Sequence, residues 1–116
     1  MEQIYDLIVA GGGFAGAAAA IAAARQGLKV LLFEKGNSLG GAAANGLVMP
    51  FMKHHTKLNG KQFFLSRGIF SEIKKEMEQA GGCRSDFLFH DEALKLVLGR
   101  MAQKAGVSLL FGVYLT

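Results

Sequence analysis

Apolar runs of two different periods alternate along this chain, and the glycines fall between them. Ile4–Ala10 is mostly apolar, carries Ile and Val among its β-formers, and stops at Gly11. It predicts a short strand buried on both faces. Ala15–Ala24 is almost all alanine, the best helix former, and Gly27 ends that helix. Lys29–Phe33, apolar from Val30 onward, predicts a second strand finishing at Glu34. Further on, Ile69, Phe70, Ile73, Met77 and Ala80 recur at three and four, which predicts an amphipathic helix over Ser66–Ala80, stopped by Gly81-Gly82. Phe87–Phe89 reads as a short strand. A second amphipathic helix, with Leu94, Val97, Leu98, Met101 and Ala105 on one face, runs from a cap at Asp91 to about Ala105, where Gly106 ends it. Asp91 and Glu92 in its first turn suit the helix dipole, and Gly99 weakens it by up to about 1 kcal/mol. Val107–Thr116 predicts the last strand, parallel to the second and reached by a right-handed crossover. The expected sheet order is third, second, first.

The polar stretches between these elements predict connections. Lys35–Gly46, KGNSLGGAAANG, holds Gly36, Gly40, Gly41 and Gly46 and reads as a loop rather than a helix. Leu47–Met52 is apolar, contains the sole proline, Pro50, and reads as a short extended segment. Lys53–Lys61 reads as a polar loop with an Asn59-Gly60 turn.

The strand–turn–helix–strand at the start carries the candidate chemistry. Gly11, Gly13 and Gly16 satisfy G-x-G-x-x-G directly after a strand and at the opening of a helix. Gly11 makes the tight turn, Gly13 lets a pyrophosphate approach the backbone, and Gly16 lets the helix pack closely on the strand. The pyrophosphate would meet free N–H groups and the positive end of the helix dipole. Glu34, at the end of the second strand, stands where a carboxylate accepts hydrogen bonds from ribose hydroxyls. Packing alone requires no acid there. Gly40-Gly41, just beyond, lets a second stretch of backbone approach the same ligand further along its length.

Composition narrows the class. At 116 residues, 51% hydrophobic, with 16 glycines and one proline, the chain allows one small globular domain. A single cysteine, Cys83, excludes an intramolecular disulfide framework, fits a reducing compartment and reads as a passive thiol. Met1–Ala10 lacks a basic n-region and Asp6 interrupts its apolar run, so no signal peptide is expected. The alanine-rich run Phe14–Ala24 is too short to span a bilayer. A cytoplasmic protein with no membrane partner is the expectation. The net charge of +4 is modest and no basic-aromatic motif accompanies it, so no nucleic-acid partner is expected. Lys53, Lys57, Lys61, Arg67, Lys74 and Lys75 make the middle third basic. That face is solvated by default, and it could also draw a small anionic substrate. His54 and His55 open metal, acid/base and solvated-loop readings. No Cys or further His follows at ligand spacing, so no metal is expected.

GGGFAG, then ARQGLKVLLFEK, then LGGAAANGLVMPFM resembles the amino-terminal portion of the FAD-dependent oxidoreductase family, within the glutathione-reductase-like flavoprotein superfamily. The resemblance is most specific over residues 6–52. It implies an α/β fold with a Rossmann-like parallel sheet of the FAD/NAD(P)-binding type, here incomplete and with an added helical segment. It implies FAD as cofactor, with Gly11, Gly12, Gly13, Phe14, Ala15 and Gly16 at the pyrophosphate. Glu34 would lie at the adenosine ribose and Gly40 and Gly41 along the pyrophosphate and ribityl region, with Lys35 and Ala42 also at the cofactor. Leu115, nine residues after Gly106, would approach the adenine through its backbone. Where many relatives carry Thr, this chain has Ala42, Ala43 and Ala44 and so lacks a hydroxyl toward the flavin. No catalytic residue stands out.

The implied organisation is a Rossmann-like FAD-binding portion at 1–46 and 84–116, with 47–83 an inserted loop and helix leading toward the substrate region. Family members resemble a chain several times longer. The expectation is therefore an amino-terminal fragment or truncated gene product, without independent turnover and with self-association through the unpaired strand edge. A non-catalytic dinucleotide-binding module and an NAD(P)-dependent dehydrogenase domain are the competing readings. The Gly40-Gly41 loop argues against the dehydrogenase, and Glu34 disfavours NADP because a carboxylate repels a 2′-phosphate.

Overall fold

A computed structural model describes residues 2–116. Its centre is a three-stranded parallel sheet built from β1 (Leu7–Ala10), β2 (Val30–Glu34) and β5 (Ser108–Phe111), in the order β1-β2-β5. That is the expected order. Helix α1 (Phe14–Arg25) connects β1 to β2 and packs against both. The long helix α4 (Asp91–Ala105) leads into β5 and packs on α1, on α2 (Gly41–Asn45) and on α3 (Ile69–Gln79). The remaining elements, β3 (His55–Leu58) and β4 (Lys61–Phe64), form a separate antiparallel hairpin.

The hydrophobic pattern places the core. Val30 and Leu32 of β2 are fully buried and join Ala17, Ala20 and Ile21 of α1 and Leu94, Val97, Leu98 and Ala102 of α4. The apolar stripe of α3 contributes Ile73 and Met77. Alanine suits α1 because small side chains let helix and strand backbones approach closely. Gly16 carries this furthest, since a Cβ there would overlap the Gly11 carbonyl oxygen.

Several expectations need correction. β1 is not buried on both faces: it is an edge strand, with Leu7 36% and Ile8 57% exposed. The doubly covered strand is β2, which has a hydrogen-bonded neighbour on each side. Lys35–Gly46 is not loop throughout, because Gly40 adopts φ +116° and Gly41–Asn45 then forms the short helix α2. Lys53–Lys61 is not a loop either. Asn59 and Gly60 both take positive φ, 50° and 76°, the two-residue turn that matches strand twist, and β3 and β4 pair around it. Phe87–Phe89 makes isolated bridges, Leu88 with Pro50 and Phe89 with Cys83, rather than a strand. Helix α3 starts later than Ser66, after Gly68 at φ +68°. Asp91 is the first residue of α4 rather than its cap; His90 holds that position, and no side chain caps the helix. The last strand ends at Phe111, not Thr116. Gly112, at φ +72°, turns the tail so that the Gly112 and Val113 amides donate to the Gly36 and Glu34 carbonyls at 3.1 and 3.3 Å.

Candidate functional site

The glycine turn and the acid at the end of β2 form one unit. Gly11, at φ +101°, donates its N–H to the Phe33 carbonyl at 2.8 Å and turns the chain off β1. The next amide, Gly12 N–H, donates to Glu34 Oε2 at 2.6 Å, and Gly36 N–H donates to Glu34 Oε1 at 2.8 Å. Glu34 is only 9% exposed. The Gly36 amide, then the Gly12 amide and the neighbouring Lys35, hold its carboxyl below the usual glutamate range, against the opposing effect of burial. The carboxylate therefore clamps the glycine turn to the end of β2, a role the sequence reading did not assign to it. Each oxygen keeps a further lone pair for a ligand.

Gly12 is committed to the protein itself. Besides its bond to Glu34, its carbonyl accepts the Gly40 amide at 2.9 Å, and a Cβ on it would meet Leu39 and the Glu34 side chain. Gly13 differs. Its backbone is extended, it sits at the N-cap of α1, and a Cβ there would meet no protein atom within 4 Å. No side chain caps α1 and no acid stands in its first turn. The N–H groups of Phe14, Ala15 and Gly16 are therefore left for a partner outside the helix, at the positive end of its dipole. Gly41 comes up against this turn so closely that a Cβ on it would lie 2.9 Å from Gly13 Cα. The second glycine pair thus does bring another stretch of backbone to the first.

Two clefts open from this point. The smaller, about 320 Å³, is lined by Gly11, Glu34, Lys35 and Leu115 among others. The larger, about 650 Å³, runs past Gly13, Phe14, Ala15 and Gly16 to Gly40, Ala42 and Phe51. Ala10 and Gly11 line both. Every residue expected at a cofactor lines one of these clefts except Gly12 and Gly41, which shape the turn from behind and beside it. Phe51 lies in the apolar segment Leu47–Met52. It stacks with Phe14, Phe70 and Phe89 at centroid distances of 6.2, 5.4 and 4.3 Å, and it is 6% exposed. It is core, and it forms the floor of the larger cleft.

A turn of this kind, with an uncapped helix behind it and an acid at the tip of the second strand, is the geometry of a dinucleotide site. Residues 6–116 match the model of the family described as FAD dependent oxidoreductase. The chain belongs to that family. It is 31% identical, over 91% of its own length, to the digeranylgeranylglycerophospholipid reductase of Methanosarcina acetivorans, and covers 28% of that protein. Over 39% of its length it is 47% identical to protein FixC of Escherichia coli, covering 10% of that protein. Among solved structures it resembles Thermovibrio ammonificans THI4, with a TM-score of 0.60 at 19% identity over 93% of this chain and 38% of that one. It also resembles a geranylgeranyl bacteriochlorophyll reductase-like protein of Thermoplasma acidophilum, with a TM-score of 0.55 at 22% identity over 93% and 30% of the two chains. These likenesses establish the fold, that of the FAD-binding portion of flavin-dependent oxidoreductases. The chain spans only about a quarter of the length of the archaeal reductase.

The two histidines correct the solvated-loop reading. His54 is buried, 3% exposed, between Phe70 and Phe87 at centroid distances of 5.3 and 5.2 Å. His55 Nε2–H donates to Asp86 Oδ2 at 2.7 Å, and the Lys74 ammonium donates to both Asp86 and His54 Nε2. No spacing rule links these residues, because they come from three separate segments. Cys83 behaves as expected of a passive thiol: burial, with Glu78 adding to it, pushes its pKa up. Among the described residues no helix is long and apolar enough to cross a membrane.

Proposed function

We propose that this chain holds FAD, with the adenosine end in the Glu34–Leu115 cleft, the pyrophosphate at the first turn of α1 and the flavin end directed along the larger cleft. The observation that carries this reading is the junction of the two clefts. They share Ala10 and Gly11 beside an uncapped helix N-terminus, so a long dianionic ligand can lie across both without leaving the protein. Gly13, Phe14, Ala15 and Gly16 would supply backbone N–H groups to the pyrophosphate. Glu34 and Lys35 would meet the ribose, Leu115 the adenine through its backbone, and Gly40, Gly41 and Ala42 the ribityl side. Gly12 serves through Glu34 and Gly40, whose positions it sets, rather than through its own amide. The redox chemistry would be the flavin's, and this chain's residues would place it and exclude water from it.

In this assignment residues 1–46 and 84–116 form the nucleotide-binding portion, and 47–83 leads toward the substrate region of the whole protein. The basic cleft of about 370 Å³ lined by Arg67, Lys74 and Lys75 would draw a small anionic substrate. A cytoplasmic setting and self-association through the exposed edge of β1 complete the proposal.

The test uses ADP and FAD as ligands of the chain. Calorimetry should show ADP binding to the wild type and none to Gly13→Val. The added Cβ itself meets no protein atom, and thermal melts check that the variant folds. ADP binding unchanged in a folded Gly13→Val protein would refute the placement. A yellow complex after FAD addition and gel filtration would separate flavin retention from recognition of the ADP half alone.

A further inference from the structure

The polar constellation around His54 is not used by the nucleotide reading. His54 is pinned: its Nδ1 lies 3.2 Å from the Met52 carbonyl, its ring is packed between Phe70 and Phe87, and its own carbonyl accepts the Leu65 amide at 2.7 Å. A carbonyl accepts only from N–H, so Nδ1 carries the proton and Nε2 presents a lone pair. That is the tautomer and the supporting bond found behind metal-bound imidazoles. Facing this lone pair are Lys74 Nζ at 3.2 Å and Asp86 Oδ1 at 3.8 Å. On the other oxygen of Asp86 sits His55 Nε2 at 2.7 Å. Two imidazole nitrogens and a carboxylate, from His54, His55 and Asp86, thus lie within 4.8 Å of one another. The cation now among them is the Lys74 ammonium, which bonds Asp86 directly.

We propose that His54 Nε2, His55 Nε2 and the Asp86 carboxylate form a site for a divalent transition-metal ion of the zinc class, which enters by displacing the Lys74 ammonium and, to solvent, the proton that His55 Nε2 donates to Asp86. Around a tetrahedral ion with bonds of about 2.0–2.2 Å, neighbouring ligand atoms stand about 3.4 Å apart. His54 Nε2 and Asp86 Oδ1, now 3.8 Å apart, would close slightly, and His55 Nε2, now 2.7 Å from Asp86 Oδ2, would draw back. The two ligands that must move are the accessible ones, with side-chain exposures of 23% for His55 and 45% for Asp86, while His54 is held in place. Donor chemistry selects the ion. Two imidazoles with one carboxylate suit zinc and its neighbours, whereas calcium and magnesium demand oxygen ligands. The displaced ammonium has a destination: Glu78 Oε1, one helical turn along α3, is already 3.8 Å from Lys74 Nζ. Exchange would leave Asp86 paired with the ion and Lys74 with Glu78. His54 lines both the larger cleft and the basic one. The site does not depend on whether flavin binds.

Cobalt(II), a coloured stand-in for zinc, and zinc itself provide the test, using the untagged chain. The wild type should take up one equivalent of Co2+ with visible d–d absorption, and Zn2+ should abolish the colour. His55→Ala and Asp86→Asn should each weaken binding by about tenfold or more, the loss of a donor from a three-donor set. Lys74→Met, which keeps the aliphatic stem and removes the competing charge, should tighten it. His90→Ala and Cys83→Ser, the other soft donors nearby in sequence, should leave it unchanged, and thermal melts check that each variant folds. The proposal is overturned by absence of stoichiometric binding at millimolar Zn2+. It is equally overturned if binding survives His55→Ala and Asp86→Asn, is lost in His90→Ala or Cys83→Ser, or weakens in Lys74→Met.

Discussion

Replacing Glu34 by Gln isolates the clamp between β2 and the glycine turn, because it changes charge and one donor/acceptor assignment at nearly constant volume. Both carboxylate oxygens accept backbone amides, from Gly12 at 2.6 Å and from Gly36 at 2.8 Å. A glutamine offers one oxygen and one NH2 group. In either rotamer one backbone N–H then faces another donor in a position that is 9% exposed. The lost bond is to a charged acceptor and leaves an unsatisfied amide, so the cost is about 2–3 kcal/mol. For a domain of this size that lowers the melting temperature by roughly 10 °C. Thermal melts followed by circular dichroism, with no nucleotide present, read this directly. The pH dependence gives a second check. Glu34 has a lowered pKa in the folded chain, so its contribution is present above the ordinary glutamate value of about 4.3 and is lost as pH falls through the folded value. The gap between wild type and variant should be full at pH 7 and shrink in strong acid. Equal melting temperatures at pH 7 would refute the clamp, and a gap that persisted undiminished in strong acid would show that charge is not its source.

Three other perturbations test separate parts of the structure. Phe51→Ala removes the ring shared by Phe14, Phe70 and Phe89 and should cost about 3–5 kcal/mol in a urea titration, whereas a loss below 1 kcal/mol would show that the aromatic cluster is not core. Gly16→Ala places a methyl against the Gly11 carbonyl, a backbone atom that cannot swing aside, and should cost about 3 kcal/mol or more; a variant as stable as wild type would contradict the close helix–strand approach. The open edge of β1, together with the outer sheet face where Ile8 of β1 is 57% and Leu110 of β5 46% exposed, should bring chains together at concentrations of roughly tens of micromolar, and light scattering that reports only monomer there would refute this.

The β1–α1–β2 unit was legible because its determinants are local. Positive φ at Gly11, helix propensity through the alanines and the absence of a Cβ at Gly13 and Gly16 are properties of single positions at fixed spacing. The acid at the strand end was legible for the same reason. Its ligand-facing role was proposed from position, but its two internal amide bonds appeared only when the chain folded, since Gly12 and Glu34 are brought together by the parallel pairing of β1 and β2. The apolar run of β1 looked like a covered strand because sequence records hydrophobicity and not neighbours. Its exposure is decided by which strands are present beside it.

The hairpin was half legible. Asn59-Gly60 announced its turn, but KHHTKL and KQFF lack the clean alternation that marks strands, and their pairing is decided by turn geometry. Of the His54 constellation only the histidine pair was legible. Lys74 lies 20 positions from His54, and Asp86 lies 31 from His55. Adjacent histidines open several readings and name no partner. Only the packing of α3 beside the start of the hairpin, with the 83–89 segment alongside, sets a lysine, a carboxylate and two imidazoles within reach of each other. Sequence by itself determined the local turn chemistry of the nucleotide site, because backbone conformation there depends on single residues. Tertiary structure decided burial, pairing and the second polar site, because those depend on which distant side chains share one volume.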